Sequence, residues 1–131
     1  MKRILFHQPQ CTSFVDNLRL LRVELSADYT KMDFGYRASE KQEKGRKIRI
    51  SKKTYLWDKK NKFKLTRAFN IPIAPNSYYF KTTDDWLFFS LYFEPLPIKT
   101  SEIMLMDEEF DKMDFNIWDI TLTRESQFEI K

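Results

Sequence analysis

Apolar residues recur at every second position along several stretches of this chain, and this periodicity constrains the fold most strongly. Leu21, Val23 and Leu25 alternate with polar residues, which is typical of a strand with one buried face and one wetted face. A second alternation, over residues 30–36, follows a turn around residues 27–29, so the two segments predict a β-hairpin. A charged tip at residues 58–62, between the run 54–57 and a return strand that begins with Phe63 and Leu65, predicts a second hairpin. Aromatic residues form 16% of the chain, and they fit a half-buried strand better than a helix face.

The strongest predicted strand runs from Trp86 to Phe93, because both of its faces are largely apolar. One face carries Leu87, Phe89, Leu91 and Phe93, and the other carries Trp86, Phe88, Ser90 and Tyr92. Such a strand belongs in the centre of a sheet, with a second sheet covering one face and loops or a partner covering the other.

The spacing of strands and turns predicts a single all-β domain of 131 residues. We expect two sheets packed as a sandwich of about seven to nine antiparallel strands. Residues 1–17 are predicted to form an N-terminal arm, 18–122 the β-sandwich domain and 123–131 a C-terminal tail. No apolar run approaches the roughly 18 residues that a membrane span needs.

Few residues in the chain could support catalysis or bind a cofactor. Cys11 is the single cysteine and His7 the single histidine, so an internal disulfide or a CxxC redox pair is excluded. Pro9 lies between them and argues against a helix that would align the two as metal ligands. The adjacent acids at 84–85 are interpreted as a turn, with a glycosidase carboxylate pair as a remote alternative. The sequence therefore predicts no enzyme activity and no cofactor.

Charge is distributed very unevenly along the chain. Residues 40–67 hold twelve Lys and Arg against three acids, whereas residues 84–114 hold nine acids against two lysines. The basic candidates are Lys44, Arg46, Lys47, Arg49, Lys52, Lys53, Lys59, Lys60, Lys62 and Lys64. They could contact phosphates while Tyr55 and Trp57 stack on bases, or they could be the wetted positions of strands and loops. The acidic turn at 107–114 has ligands for calcium, although a solvated turn is favoured.

Aromatic residues outside the predicted core could form an exposed platform. The candidates are Trp57, Tyr78 and Tyr79, together with Phe80 and Trp86. Exposed as a cluster, they would indicate an interface for a sugar, a peptide or a protein partner. Packing in the core is the alternative interpretation, and it is the favoured one.

Several segments resemble those of a known family in their sequence and in their order along the chain. They are Ser51-Lys52-Lys53-Thr54-Tyr55-Leu56, Asn70-Ile71-Pro72, Leu91-Tyr92-Phe93-Glu94-Pro95-Leu96-Pro97 and Phe115-Asn116-Ile117-Trp118. Over roughly residues 18–122 the chain resembles a small immunoglobulin-like β-sandwich module of Bacteroidetes envelope proteins, which often precedes a thioredoxin-like domain. The resemblance implies an immunoglobulin-like fold and a periplasmic or envelope location, whereas Met1 as the native start would imply a cytoplasmic one.

Together these features predict a non-enzymatic binding or assembly module that acts on a protein partner. Nucleic-acid binding through residues 41–67 is the alternative, and it predicts affinity that falls steeply with salt. A hydrolase with acidic catalytic residues is a third hypothesis, which would require two carboxylates in one cleft with separated pKa values.

Overall fold

The computed structural model describes residues 3–13, 17–38, 47–73, 75–80, 85–107, 117–122 and 127–130, which form β-strands and no helix. The strands are β1 (Arg3–His7), β2 (Gln10–Ser13), β3 (Leu18–Leu25), β4 (Thr30–Arg37), β5 (Lys47–Ile48), β6 (Thr54–Trp57), β7 (Lys62–Phe69), β8 (Tyr78–Tyr79), β9 (Trp86–Phe93), β10 (Glu102–Asp107), β11 (Ile117–Thr121) and β12 (Gln127–Ile130). The described residues therefore contain no helix that is long and apolar enough to cross a membrane. The predicted all-β class is confirmed.

Ten of the described strands join in one antiparallel sheet, in the order β12-β1-β3-β4-β9-β7-β6-β10-β11-β2. Strands β5 and β8 pair separately as a small two-stranded sheet. The order places β9 between β4 and β7, so the predicted central position of this strand is confirmed. The predicted β3–β4 and β6–β7 hairpins are also present.

The large sheet is curled, and a short connection joins the end strand β2 to β1, which lies next to the opposite end strand β12. Strand β1 ends at His7 and β2 begins at Gln10, yet the two strands lie far apart in the sheet order. Strand β7 makes the opposite corner, because its first residues pair with β6 and its later residues pair with β9. Strands that switch partners in this way form the corners between two packed halves.

Two separate sheets, as the immunoglobulin-like sandwich requires, are not confirmed. The hydrogen bonding continues from one half to the other through β7, so the described strands form one curled sheet. More strands are present than the seven to nine expected, since residues assigned to the arm and the tail also pair. Strand β1 pairs with both β3 and β12, and β2 pairs with β11.

Both halves of the sheet supply one continuous hydrophobic core. Phe34 and Phe93 are buried from the half that contains β4 and β9, and Leu56 and Leu105 are buried from the half that contains β6 and β10. Within the core, the ring of Phe34 stacks on that of Phe89, with centroids 5.1 Å apart. Burial of this apolar surface is the main source of stability for such a domain.

The alternation in β3 contains an irregularity that the sequence did not reveal. The register with β4 shifts between Leu20 and Arg22, so Leu21 is the extra residue of a β-bulge. Leu18 and Leu20 take the buried positions before the shift, whereas Leu21 is only half-buried. The predicted burial of Val23 is confirmed. The bulge thus removes Leu21 from the side chains of β3 that face the core.

The tip of the β6–β7 hairpin is held by one carboxylate. The Oδ1 atom of Asp58 accepts hydrogen bonds from the backbone N–H of Lys60 (2.9 Å) and of Asn61 (2.7 Å). Side-chain to backbone bonds of this kind stabilise a turn. The hydrogen bond from Asn61 contributes most to lowering the pKa of Asp58, and the bond from Lys60 adds to it.

We expect Asp58→Ala to lower the free energy of unfolding by about 0.5–1 kcal/mol, because both turn bonds are lost. Asp58→Asn is the matched control, since it keeps an oxygen acceptor without a titrating group. A lowered pKa stabilises the fold above the usual carboxyl pKa, and this contribution is lost as pH falls through the folded-state value. Denaturant unfolding should therefore show a difference between wild type and Asp58→Asn at neutral pH that shrinks in strong acid; a constant difference would contradict this.

Candidate binding surface

The outer side of β9 is open to solvent although the strand lies in the middle of the sheet. Trp86 is 48% exposed and Phe88 is 58% exposed, while the alternating residues of the same strand are buried. The end of β7 adds Phe69, which is 57% exposed and pairs with Ser90. We call these three residues the aromatic cluster. Of the second face predicted for β9, Trp86 and Phe88 are thus exposed, whereas Ser90 and Tyr92 are half-buried.

A glycine on β4 lets two of these rings lie close to the sheet. Gly35 pairs with Phe88, and the rings of Trp86 and Phe88 are parallel within 5° with centroids 5.7 Å apart. A Cβ atom on Gly35 would lie 3.1 Å from Cε1 of Phe88 and 3.3 Å from Cζ3 of Trp86. Any larger residue would push against the edges of both rings, so the glycine allows the rings to lie this close to the sheet.

A row of polar residues crosses the sheet beside the aromatic cluster. The strand register places His7, Arg22, Asp33 and Ser90 side by side, with Phe69 at the end of the row. Asp33 accepts hydrogen bonds from Nε of Arg22 at 2.8 Å and from Oγ of Ser90 at 2.5 Å. The amine of Lys31 lies 3.8 Å from the same carboxylate. The charge of Asp33 is therefore compensated within the domain.

A groove of about 380 Å³ lies between this polar row and the aromatic cluster. Phe69 and Phe88 line it together with His7, Asp33 and Leu21. The β-bulge explains the presence of Leu21, because the extra residue leaves the inward-facing alternation of β3. An apolar lining with a few fixed polar groups is typical of binding sites.

A second cross-strand row carries cations around one tyrosine. The Nζ atom of Lys31 and the Cζ atom of Arg67 each lie 5.7 Å from the ring centroid of Tyr92. These distances fit cation–π contacts. The ring of Tyr29 meets Tyr92 edge-on, and its hydroxyl donates a hydrogen bond to Glu24 that raises the pKa of Tyr29. We call Lys31 and Arg67, the cations beside Tyr92, the cationic margin.

The end of β7 is fixed by Asn70. Its backbone has a φ of 64°, a left-handed conformation that asparagine tolerates better than most residues. Its Nδ2 atom donates a hydrogen bond of 2.6 Å to the backbone carbonyl of Phe88. Asn70 thus ties β7 to β9 at the position where Phe69 and Phe88 approach the groove.

The basic candidates lie elsewhere, around the β6–β7 hairpin. Those with described side chains are exposed, namely Arg49, Lys52, Lys53, Lys59, Lys60, Lys62 and Lys64. Lys44 and Arg46 lie outside the described residues, as does the side chain of Lys47. The ammonium group of Lys62 lies 4.7 Å from the ring centroid of Tyr55, and Lys59 is 3.3 Å from Glu102.

The aromatic candidates do not form one platform. Tyr78 and Tyr79 are exposed on β8, whereas Trp57 is half-buried on β6. The candidates from the sequence included Trp86 but neither Phe88 nor Phe69. The outward alternation of β9 was the available signal, since it put Trp86 and Phe88 on one face.

Within the described residues, the remaining candidates for catalysis or metal binding do not come together in one site. Cys11 is exposed on β2, and His7 lies on β1 at the margin of the groove. The calcium candidate at 107–114 lies outside the described residues apart from Asp107, and Asp84 lies outside them too. Comparisons of the chain with protein-family models, with curated proteins and with solved structures found no match.

Proposed function

We propose that this domain is a non-enzymatic binding or assembly module that holds a protein partner on the outer face of β3, β4, β7 and β9. The supporting observation is the aromatic cluster, in which Phe69, Trp86 and Phe88 are each about half exposed. Large exposed apolar patches are uncommon on monomers and mark interaction sites. Aromatic residues and arginine are also enriched at protein interfaces.

The surroundings of the cluster suit an interface as well. Arg22 and Ser90 hold Asp33 in place beside the groove, so this polar margin is already ordered before a partner binds. Gly35 leaves room for the stacked rings of Trp86 and Phe88, and Asn70 ties the end of β7 to β9. Preorganised surfaces lose less conformational entropy on binding and therefore retain more of the interaction energy.

A relationship to the immunoglobulin-like envelope module forms part of the proposal. The Glu-Pro-Leu-Pro segment that carries the resemblance ends β9 and turns Leu96 into the core. There the N–H of Leu96 donates a 2.9 Å hydrogen bond to Oγ1 of Thr30. In this proposal the module presents a sheet face or a loop end to its partner, and the exposed aromatic cluster supports the sheet face.

Nucleic-acid binding through residues 41–67 is the second candidate. The exposed side chains of Lys62 and Lys64 support it, because they alternate outward along β7 beside Tyr55 and Trp57. However, Tyr55 already has Lys62 over its ring, and both aromatic residues are half-buried. Base stacking needs open ring faces, so the geometry favours the aromatic cluster as the binding surface.

Affinity capture from a lysate of the source cells tests the proposal. We expect the wild-type domain to retain a protein that Phe69→Ser/Phe88→Ser does not retain, because both substitutions remove interface contacts from exposed positions. The control is Lys59→Glu/Lys60→Glu/Lys62→Glu, which changes the basic hairpin and leaves the aromatic cluster intact. Circular dichroism and thermal unfolding should show that all variants are folded.

The outcomes separate the two candidates. Retention that survives in the lysine control but not in the aromatic variant supports protein binding through the outer face. Retention that is abolished by nuclease and by the lysine substitutions would instead support nucleic-acid binding. If no retained protein depends on Phe69 and Phe88, the proposal is wrong.

A further inference from the structure

The groove has a size that suits one large side chain of a partner. Its volume of about 380 Å³ lies near the lower end of pocket volumes, which run from about 300 to 1,000 Å³. Phe69, Phe88 and Leu21 give it an apolar lining. At protein interfaces, large side chains that fill such pockets contribute most of the binding energy. A partner that uses this groove should therefore present a large apolar side chain.

Positive charge surrounds the groove. Among the described side chains on the outer face of β1, β3, β4, β9 and the part of β7 that pairs with β9, cations outnumber carboxylates by six to two. The cations are Arg3, Arg19, Arg22, Lys31, Arg37 and Arg67, and the carboxylates are Glu24 and Asp33. A face with this charge distribution attracts an acidic partner.

Both carboxylates are engaged within the domain. Asp33 accepts hydrogen bonds from Arg22 and Ser90, as described above. Glu24 is buried, accepts a hydrogen bond from the hydroxyl of Tyr29 and lies 3.9 Å from Arg3. These contacts also engage Arg22, Lys31 and Arg3, so the charge of the face is set by its excess of cations over carboxylates. The charge complementarity therefore favours an anionic partner.

The arrangement of the rings favours a peptide over a nucleic acid as the anionic partner. Trp86 and Phe88 stack on one another, and the edges of both rings point at Gly35. Single-stranded nucleic acids bind where aromatic ring faces are available for successive bases. Here the two rings stand upright on the sheet and each covers part of the other. An apolar side chain can still enter beside Phe88.

We infer that the partner presents an acidic peptide segment whose large apolar side chain enters the groove between Phe69 and Phe88. The inference rests on the proposed function, because it assigns a chemistry to the partner of the same outer face. The apolar side chain supplies contact with the aromatic cluster. The flanking Asp and Glu residues meet the cationic margin, of which Arg67 beside Tyr92 is an exposed member.

Selection from a phage-displayed library of random short peptides on the immobilised domain tests the inference. We expect the selected peptides to be enriched in Asp and Glu around one Trp, Phe or Leu. Fluorescence anisotropy then gives the Kd of the most enriched peptide for each variant. Phe88→Ser, and independently Phe69→Ser, should weaken binding by at least about 30-fold, as for an interface hot spot.

Charge reversal provides the second arm. Arg67→Glu should weaken binding of the acidic peptide by roughly tenfold at low salt, whereas Lys60→Glu should change it by less than about twofold. Lys60→Glu is the matched control, because it makes the same charge change at the hairpin tip. An oligodeoxythymidine strand is titrated in parallel as the nucleic-acid probe.

Each other outcome overturns the inference in a recognisable way. Selected peptides that are neutral or basic but require Phe88 would refute the acidic chemistry and leave the proposed protein-binding face intact. Failure to select any peptide that depends on Phe88 would refute the inference, while the lysate capture judges the proposed function separately. Tighter Phe88-dependent binding of the oligodeoxythymidine than of any peptide would assign the face to nucleic acid.

Discussion

Replacing Phe93 by alanine is expected to lower the free energy of unfolding by about 3–5 kcal/mol, because it leaves a cavity in the core. The Phe93 side chain is 0% exposed and lies at the end of the central strand. It pairs with Thr30 on β4 and with Leu65 on β7, where the sheet turns toward its second half. Denaturant unfolding measured by tryptophan fluorescence would give the change.

Phe88→Ala is the matched control, since it removes the same side chain from the same strand. Phe88 is 58% exposed, so we expect a loss below about 1 kcal/mol. A large gap between the two variants would establish that the two faces of β9 differ in their contribution to stability. Equal losses would mean that Phe88 is covered in solution, which contradicts an exposed aromatic cluster.

The second large effect is expected at Thr30, which is 0% exposed. Its hydroxyl donates a hydrogen bond to the carbonyl of Glu94 at 3.2 Å and accepts one from the N–H of Leu96 at 2.9 Å. Thr30→Val keeps the shape of the side chain but leaves both backbone groups without this partner. We therefore expect a loss of about 2–3 kcal/mol in the free energy of unfolding.

Thr30→Ser serves as the control for this site. Serine keeps the hydroxyl and loses one buried methyl group, so its expected cost is about 1 kcal/mol. Thermal and denaturant unfolding of both variants would rank them. A valine variant more stable than the serine variant would show that the hydroxyl does not hold the corner between β4 and residues 94–96.

These expectations bear on function because they separate the two faces of one strand. The inner residues of β9 form part of the core. Trp86 and Phe88 are large, but about half of each side chain is exposed, so they bury little surface in the core. Large exposed aromatic side chains that add little to stability support the proposed interface. The proposed interface therefore predicts variants that lose a partner and retain their stability.

The local elements of the fold could be predicted from the sequence. The alternation over residues 30–36 and from Trp86 to Phe93 depends only on the period of two that a half-buried strand imposes. The charged tip around Asp58 likewise predicted a hairpin, because it lies between two apolar runs. The β3–β4 hairpin, the β6–β7 hairpin and the central β9 follow from these local signals.

The candidate site was only partly predictable. The sequence placed Trp86 and Phe88 on one face of β9, but it could not show whether that face is covered. Phe69 follows the inward-facing Ala68 on β7, and its outward direction depends on the register shift between Leu65 and Arg67. A shift by one residue exchanges the two faces of a strand, and it leaves no mark in a short apolar run.

The sequence by itself determined that this protein is all-β, where its main hairpins lie and which strand is central. Only the tertiary structure decided that ten described strands form one curled sheet, that residues assigned to an arm and a tail join it, and that the aromatic cluster is exposed. The physical reason is the range of the interactions. Side-chain alternation is a local property, whereas strand partners, sheet corners and the covering of a face depend on contacts between residues distant in the chain.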